Sequence, residues 1–181
     1  MLSTRDASSR PLHNLRLSVT DRCNLRCAYC MPEEDYVWLP GSEILSFEKL
    51  SALVDRFIAV GVRKVRLTGG EPLLRRDLPR LVALLAQKPL EDLALTTNGV
   101  RLAELAGPLA GAGLHRVNIS LDTLSPTRFL ALTRKDSHAE VLRGIEAART
   151  AGFPGPLKLD CVVMRGVNDD ELLPMLDFAR E

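Results

Sequence analysis

An α/β protein built on a parallel sheet is what this sequence predicts, from three observations. Short stretches with period-two alternation recur along the chain. Each is followed by a stretch with helical apolar spacing, and Gly, Asn or Pro turn signals fall between them. Strands alternating with amphipathic helices are βα units, and βα units make parallel sheets. The 181 residues fit one domain with a real core, and 46% hydrophobic with 26% charged residues is ordinary for a soluble globular protein. No repeat, low-complexity segment or linker divides the chain after its first dozen residues. Residues 1–13 are therefore expected to be a flexible lead and 14–181 one core domain.

In chain order, the first strand opens at Leu15, with Leu17 and Val19 alternating against Arg16, Ser18 and Thr20. The chain then turns polar and places Cys23, Cys27 and Cys30 within eight residues. A Pro- and Gly-containing connection runs through Gly41, and its Tyr36 and Trp38 are expected to pack against neighbouring loops. A helix starts near Ser46, a good N-cap, with Glu48 in its first turn. Its apolar positions Leu50, Leu53, Val54, Phe57 and Ile58 follow helical spacing, and Gly61 is well placed to end it.

The second strand ends at Thr68 and runs into Gly69-Gly70-Glu71-Pro72. A helix from about Asp77 buries Leu78, Leu81, Val82 and Leu85, and Pro79 is tolerable in its first turn. A strand near Leu93–Thr96 leads to the turn Thr97-Asn98-Gly99. A helix carries Leu102, Leu105, Ala106 and Leu109, a fourth strand covers Arg116–Leu121, and a longer helical region holds Val141, Leu142, Ile145 and Ala148 up to Gly152. A fifth strand is read at Leu157–Val163 and a last helix after Asn168.

The net charge of +1 gives no bulk electrostatic case for nucleic acid. No apolar run approaches the roughly 18 residues of a membrane helix. The N-terminus has no apolar stretch of the signal-peptide kind. Four cysteines, three of them clustered, point to a reducing, cytoplasmic compartment rather than a disulfide scaffold.

Three thiols so close in sequence suit a loop wrapped around something that binds sulfur. Structural zinc sites need a fourth ligand, and the only other cysteine, Cys161, is far along the chain. A disulfide would leave one thiol over. An iron–sulfur cluster held by three thiolates would keep one iron open for a ligand. On spacing alone, a cluster, zinc and an incidental grouping all remain.

Strand parity supplies the second signal. One face carries Leu15, Leu17, Val65, Leu67, Leu93, Leu95, Val117, Ile119, Leu157 and Leu159. The other carries Arg16, Ser18, Arg66, Thr68, Thr96, Asn118, Ser120, Lys158 and Asp160. If the sheet curls, the polar set turns inward and brings Arg16, Arg66 and Lys158 toward one cavity. Such cations want anionic partners, and a phosphorylated substrate would supply them. The bland alternative is a one-sided sheet with a wet polar face. The cysteines and the Gly69-Gly70 pair follow the first two strands, at the carboxyl ends where parallel folds put their sites.

The CxxxCxxC pattern, with Tyr29 before the last cysteine, resembles the signature of the radical S-adenosylmethionine (SAM) superfamily, and GGEP resembles its motif that meets the amino end of SAM. The resemblance implies that Cys23, Cys27 and Cys30 hold a [4Fe–4S] cluster whose open iron binds SAM. It implies cleavage of SAM to a 5′-deoxyadenosyl radical, an electron donor, and an incomplete (β/α)6 barrel. Glu71 is expected to accept hydrogen bonds from an ammonium group.

The blocks LRLSVTDRCNLRCAYCMP, VRLTGGEPLLRRDL, LTTNG, VNISLDTL and VVMRGVNDDEL, in that order, resemble the GTP 3′,8-cyclase family of molybdenum-cofactor biosynthesis. Carried over residue by residue, the resemblance puts Tyr29, Gly70 and Ser120 on SAM and Arg16, Arg66, Thr96 and Lys158 on GTP. It implies conversion of GTP to 3′,8-cyclo-7,8-dihydro-GTP and admits a homodimer, as in that family.

Asp160 and Cys161 depart from the family pattern. Asp160 is expected to pair with a cation of the polar face, and Cys161 to be a buried, inert core thiol. The family's second cluster segment has no counterpart here, and the sequence stops within a helical pattern. The expectation is an N-terminal portion with about five of six strands, doubtful as a cyclase on its own. The alternatives are another radical SAM enzyme acting on a peptide or small molecule, and a non-catalytic zinc or iron–sulfur module.

Overall fold

The computed structural model describes residues 5–33 and 35–180. Five strands, β1 (Asn14–Ser18), β2 (Lys64–Thr68), β3 (Asp92–Thr97), β4 (Arg116–Ser120) and β5 (Lys158–Asp160), form one parallel sheet in sequence order. Adding each strand on the same side by right-handed crossovers sends all the connecting helices to one face. That face is the apolar one. Val65, Leu67, Leu93, Leu95, Val117 and Ile119 are almost fully buried there. They form one core with α1 (Phe47–Ala59), α2 (Leu78–Ala86), α3 (Leu102–Gly111) and α5 (His138–Thr150).

The helix ends follow the sequence signals. Ser46 caps α1 by accepting from the Lys49 amide, and Gly61 just beyond it has φ 119°. Asp77 precedes α2 in the left-handed region and makes no side-chain cap. Tyr36 and Trp38 do pack against a neighbouring loop: they stack on each other at 5.4 Å, and the Arg26 guanidinium of the cysteine loop lies over both rings.

Two readings need correction. The expected strand Leu157–Val163 is only Lys158–Asp160. Leu121 still donates to the Asp160 carbonyl, but the Val162 amide turns away to the Asp122 carboxylate at 2.8 Å, which takes it off the ladder. A helix absent from the sequence reading, α4 (Pro126–Thr133), follows β4. Ser125 caps it and Pro126 opens it, a sound start signal on a segment with only a short apolar stripe. The last helix, α6 (Leu172–Phe178), follows a short 3-10 turn at Asp169–Glu171. Among the described residues no helix is long and apolar enough to cross a membrane.

The register sets the polar face in rows. Arg16 lies beside Arg66, Arg66 beside Ala94, and Ala94 beside Arg116. One row up, Thr96 lies beside Asn118 and Asn118 beside Lys158, and above these Ser120 lies beside Asp160.

A thiol cavity beside a cationic sheet face

The cysteine loop hangs between the end of β1 and the end of α4. The Arg26 and Ala28 amides donate to the Thr133 and Leu132 carbonyls at 2.9 and 3.0 Å. A tight turn over Cys27 follows, in which both Cys30 and Met31 donate to its carbonyl. Cys23, Cys27 and Cys30 all line one cavity of about 310 Å³, together with Thr20, Gly69 and Gly70.

Both glycines are forced by close approach. A Cβ on Gly69, at φ 152°, would lie 2.4 Å from the Thr20 carbonyl oxygen, and one on Gly70 would lie 2.4 Å from those of Asp21 and Arg22. The Gly70 amide donates to the Thr20 carbonyl at 2.8 Å and the Glu71 amide to that of Arg22 at 2.7 Å. The loops after β1 and β2 are thereby locked into one wall.

Burial, followed by the charges of Cys23, Asp122 and Cys30, pushes the Cys27 thiol up to about 11. Burial also raises Cys23, against the pull of the Leu25 amide. Burial that raises a thiol holds its proton more tightly, and a bound metal displaces it. The Leu25 amide and the Asn98 side-chain amide point at the Cys23 sulfur at 3.5 and 3.9 Å. Soft sulfur donors spread around a cavity suit a multi-iron cluster. Among the described residues no three His, Cys, Asp or Glu side chains converge closely enough for a single ion.

Glu71 does not meet the expectation of an ammonium partner. It is 1% exposed and accepts from the Thr97 hydroxyl, the Asn98 amide and the Leu73 amide at 2.6, 2.7 and 2.9 Å. Burial raises its carboxyl and these donors pull it back. Its work is to tie the loop after β2 to the loop after β3, and so to aim Asn98 at Cys23.

Tyr29 is 45% exposed, and its phenol donates to Asp122 at 2.5 Å. Burial and the Asp122 carboxylate raise its pKa. Asp122, from the loop after β4, also accepts the Val162 amide, while the buried Asn168 side chain donates to the Asp122 carbonyl at 2.7 Å. Asp122 thus joins the cysteine loop to the segment after β5. Cys161 is half-buried rather than a core thiol, because β5 has ended before it; its sulfur faces the Asp122 carbonyl at 3.8 Å.

On the polar face, Arg16 and Arg66 line a cavity of about 210 Å³ with Lys64, Asp92 and Arg116. Lys158 is on the same face but three strands away from Arg66, so the three cations share a face and only two share this cavity. The sequence reading overlooked Arg116, although its parity with Asn118 and Ser120 marks it as inward. Arg116 grips the Asp92 carboxylate through Nε and Nη2 and reaches Asn118 Oδ1 at 3.0 Å. Asn118 in turn donates to Asp160 at 3.0 Å, so Asp160 is engaged through an amide rather than in an ion pair. Among the described residues, Arg16, Arg66 and Lys158 make no side-chain ion pair, whereas Arg116 does. The Thr96 hydroxyl is buried with no partner. Among the described residues, the four assigned to substrate belong to the groups of this face without a side-chain partner, Lys64 likewise makes no ion pair, and Ser120 stands at its upper edge.

The family model for the radical SAM superfamily matches residues 17–179. GTP 3′,8-cyclase 3 of Mycobacterium bovis is 54% identical over 97% of this chain and 48% of its own length. The GTP 3′,8-cyclase of Acidothermus cellulolyticus is 56% identical over 98% of this chain and 50% of its own. The chain thus spans about half the length of the curated relatives it matches. Streptococcus suis SuiB bound to its precursor peptide SuiA superposes with a TM-score of 0.75 at 17% identity, over 91% of this chain and 36% of that one. Methylornithine synthase superposes with a TM-score of 0.71 at 15% identity, over 92% and 50%. Likenesses of that identity speak to the fold alone; the family model speaks to descent, and on it the chain belongs to the radical SAM superfamily.

Proposed function

We propose that the chain is the radical SAM core of a GTP 3′,8-cyclase, acting in a cytoplasmic setting. The observation that carries the reading is that the same strands bear two features: the thiol loop follows their carboxyl ends, and cations stand on their polar face. A cavity edged by three thiols and two glycines lies beyond a sheet face on which, among the described residues, Arg16, Arg66 and Lys158 make no side-chain ion pair. The likeness to cyclases from several bacteria supports GTP as the substrate.

In this reading Cys23, Cys27 and Cys30 hold a [4Fe–4S] cluster, and Asn98 and the Leu25 amide stabilise the charge on Cys23. Gly70 lets the amino-acid end of SAM approach the backbone, and Tyr29 and Ser120 also contact SAM. Bound together, the cluster and SAM supply hydrogen-atom abstraction. Arg16, Arg66 and Lys158 hold the triphosphate by charge-assisted hydrogen bonds, and the Thr96 hydroxyl gains the partner it lacks. Arg116 is already neutralised by Asp92 and serves as a fixed spacer between the cations. The protein's contribution is orientation of the ribose toward the thiol cavity and exclusion of competing reactions.

The test is anaerobic reconstitution followed by chromatography of nucleoside products. About one cluster should load per chain, following the ligand logic of such sites. It should be lost in Cys23→Ala, Cys27→Ala or Cys30→Ala and kept in Cys161→Ala. With dithionite and SAM, 5′-deoxyadenosine should form, and GTP should change its rate. Zinc without sulfide, or loss of the cluster in Cys161→Ala, would overturn the assignment.

A further inference from the structure

The strands bring two carboxylates to the cationic face, and their situations differ. Asp92 is taken up by Arg116. Asp160 has no cation of its own. It follows Lys158 by two residues on β5, so both side chains stand on the same face, about 6.6 Å apart along the strand. Asp160 belongs to the top row, beside Ser120. Lys158 and Thr96 lie one row lower, and Arg16 and Arg66 one row lower still.

The Asp160 carboxylate is fixed in place without being neutralised. Asn118 is buried, its Oδ1 accepts from Arg116 at 3.0 Å, and its Nδ2 donates to Asp160 Oδ2 at 3.0 Å. With both ends of the amide engaged, Asn118 anchors Asp160 in one orientation and offers no counter-charge. Among the described residues Asp160 Oδ1 makes no hydrogen bond, and the side chain is exposed. Two residues further along, the Val162 amide is tied to Asp122, which also holds the Tyr29 phenol of the cysteine loop. The free oxygen therefore stands between the cations assigned to phosphate and the place where the cysteine loop meets the end of the sheet.

A carboxylate so placed repels a phosphate and accepts from a hydroxyl, which is how acidic residues hold ribose in dinucleotide-binding folds. We propose that Asp160 is a binding residue that sets the direction of the substrate nucleotide: it accepts a ribose hydroxyl and keeps the triphosphate on the lower rows. The proposal rests on the reading of this face as a nucleoside triphosphate site. The face is cationic below and anionic at its top row, and a nucleotide satisfies both only with its phosphates down and its sugar up. In that direction the sugar, from which a hydrogen atom is to be taken, faces the thiol cavity.

The experiment is anaerobic titration calorimetry on the cluster-loaded chain with GTP, 2′-deoxyGTP, 3′-deoxyGTP, inorganic triphosphate and SAM. Wild type should bind GTP about tenfold or more tightly than the deoxy analogue that lacks the hydroxyl Asp160 receives, the size of one hydrogen bond to a charged group. Asp160→Ala should bind GTP and both analogues alike. Asp160→Asn, which keeps an acceptor but not the charge, should retain a smaller preference. Inorganic triphosphate has no sugar, so Asp160→Ala should bind it at least as tightly as wild type does. Unfolding temperatures of the variants should match wild type, because the side chain is exposed. The proposal is overturned if Asp160→Ala keeps the wild-type preference among the three nucleotides, or loses inorganic triphosphate as much as GTP. It is overturned too if the variant weakens SAM alone, which would give the carboxylate to the cofactor. A wild type that binds inorganic triphosphate and all three nucleotides equally sinks this proposal and leaves the phosphate site standing. A wild type that binds neither GTP nor inorganic triphosphate sinks the nucleotide reading of the face itself.

Discussion

The two faces of the sheet are made by the same strands and differ in one respect. On the helix side the central strands are saturated: Leu67, Leu93, Leu95, Val117 and Ile119 are wholly buried in one core. On the other side satisfaction is uneven. Arg116, Asp92, Asn118 and Asp160 complete one another, while among the described residues Arg16, Arg66 and Lys158 make no ion pair and the Thr96 hydroxyl has no partner. A saturated face reports on stability, and an unsaturated one reports on what the protein is built to meet. Neighbouring residues of one strand can therefore be expected to answer to different assays.

The sharpest contrast is between Leu95 and Thr96. Leu95→Ala should cost about 2–5 kcal/mol of stability, as core truncations do. Thr96→Val removes a buried hydroxyl that has no partner, so thermal unfolding should stay within about 1 kcal/mol of wild type or improve. A large loss in Thr96→Val would mean the hydroxyl is satisfied after all and the faces are alike. Next comes Glu71→Gln, which keeps the shape of the side chain but aims an NH2 group at donors. It should destabilise by about 1–3 kcal/mol and loosen the Asn98 contact to Cys23. Urea unfolding together with reactivity of Cys23 toward a thiol reagent would check both.

A smaller effect attaches to Asp92. Burial raises its carboxyl, but the hydrogen bonds and charge of Arg116 outweigh this and hold it below the usual range. A depressed carboxylate contributes stability that is present above its unfolded pKa of about 3.9 and is lost as pH falls through the folded value. Below about pH 4 the wild type should therefore lose stability that Asp92→Asn has already lost, and the two unfolding curves should converge. The smallest effect belongs to Lys158→Ala. The side chain is exposed and unpaired, so stability should move by no more than about 0.5 kcal/mol.

Much of this division was legible in the sequence, because parity is a local property. Alternation at Leu15–Ser18 and Val65–Thr68 sufficed to assign both faces, and the helix-end signals at Ser46 and Gly61 held. Arg116 was legible by the same rule and was passed over. What could not be read were contacts that join distant loops. The partners of Glu71 lie in the turn after β3, and Asp122 meets Tyr29 from 93 positions away. A free-looking carboxylate after a Gly-Gly pair invites a ligand role that only burial can refute. The short helix α4 was missed because Phe129 and Leu132 are too few to establish a period, yet its carboxyl end is what the cysteine loop hangs from. β5 ended early for a tertiary reason, capture of the Val162 amide by Asp122.

The claim at the centre is that the unsaturated cations of the polar face are held open for substrate, and GTP binding tests it most directly. Isothermal titration of GTP into the cluster-loaded chain should show affinity weakened about tenfold or more in Arg66→Ala, the size of one lost charge-assisted hydrogen bond. Arg16→Ala and Lys158→Ala should act in the same direction, with unfolding temperatures unchanged. Wild-type affinity in all three variants would contradict the account and leave the polar face merely wet.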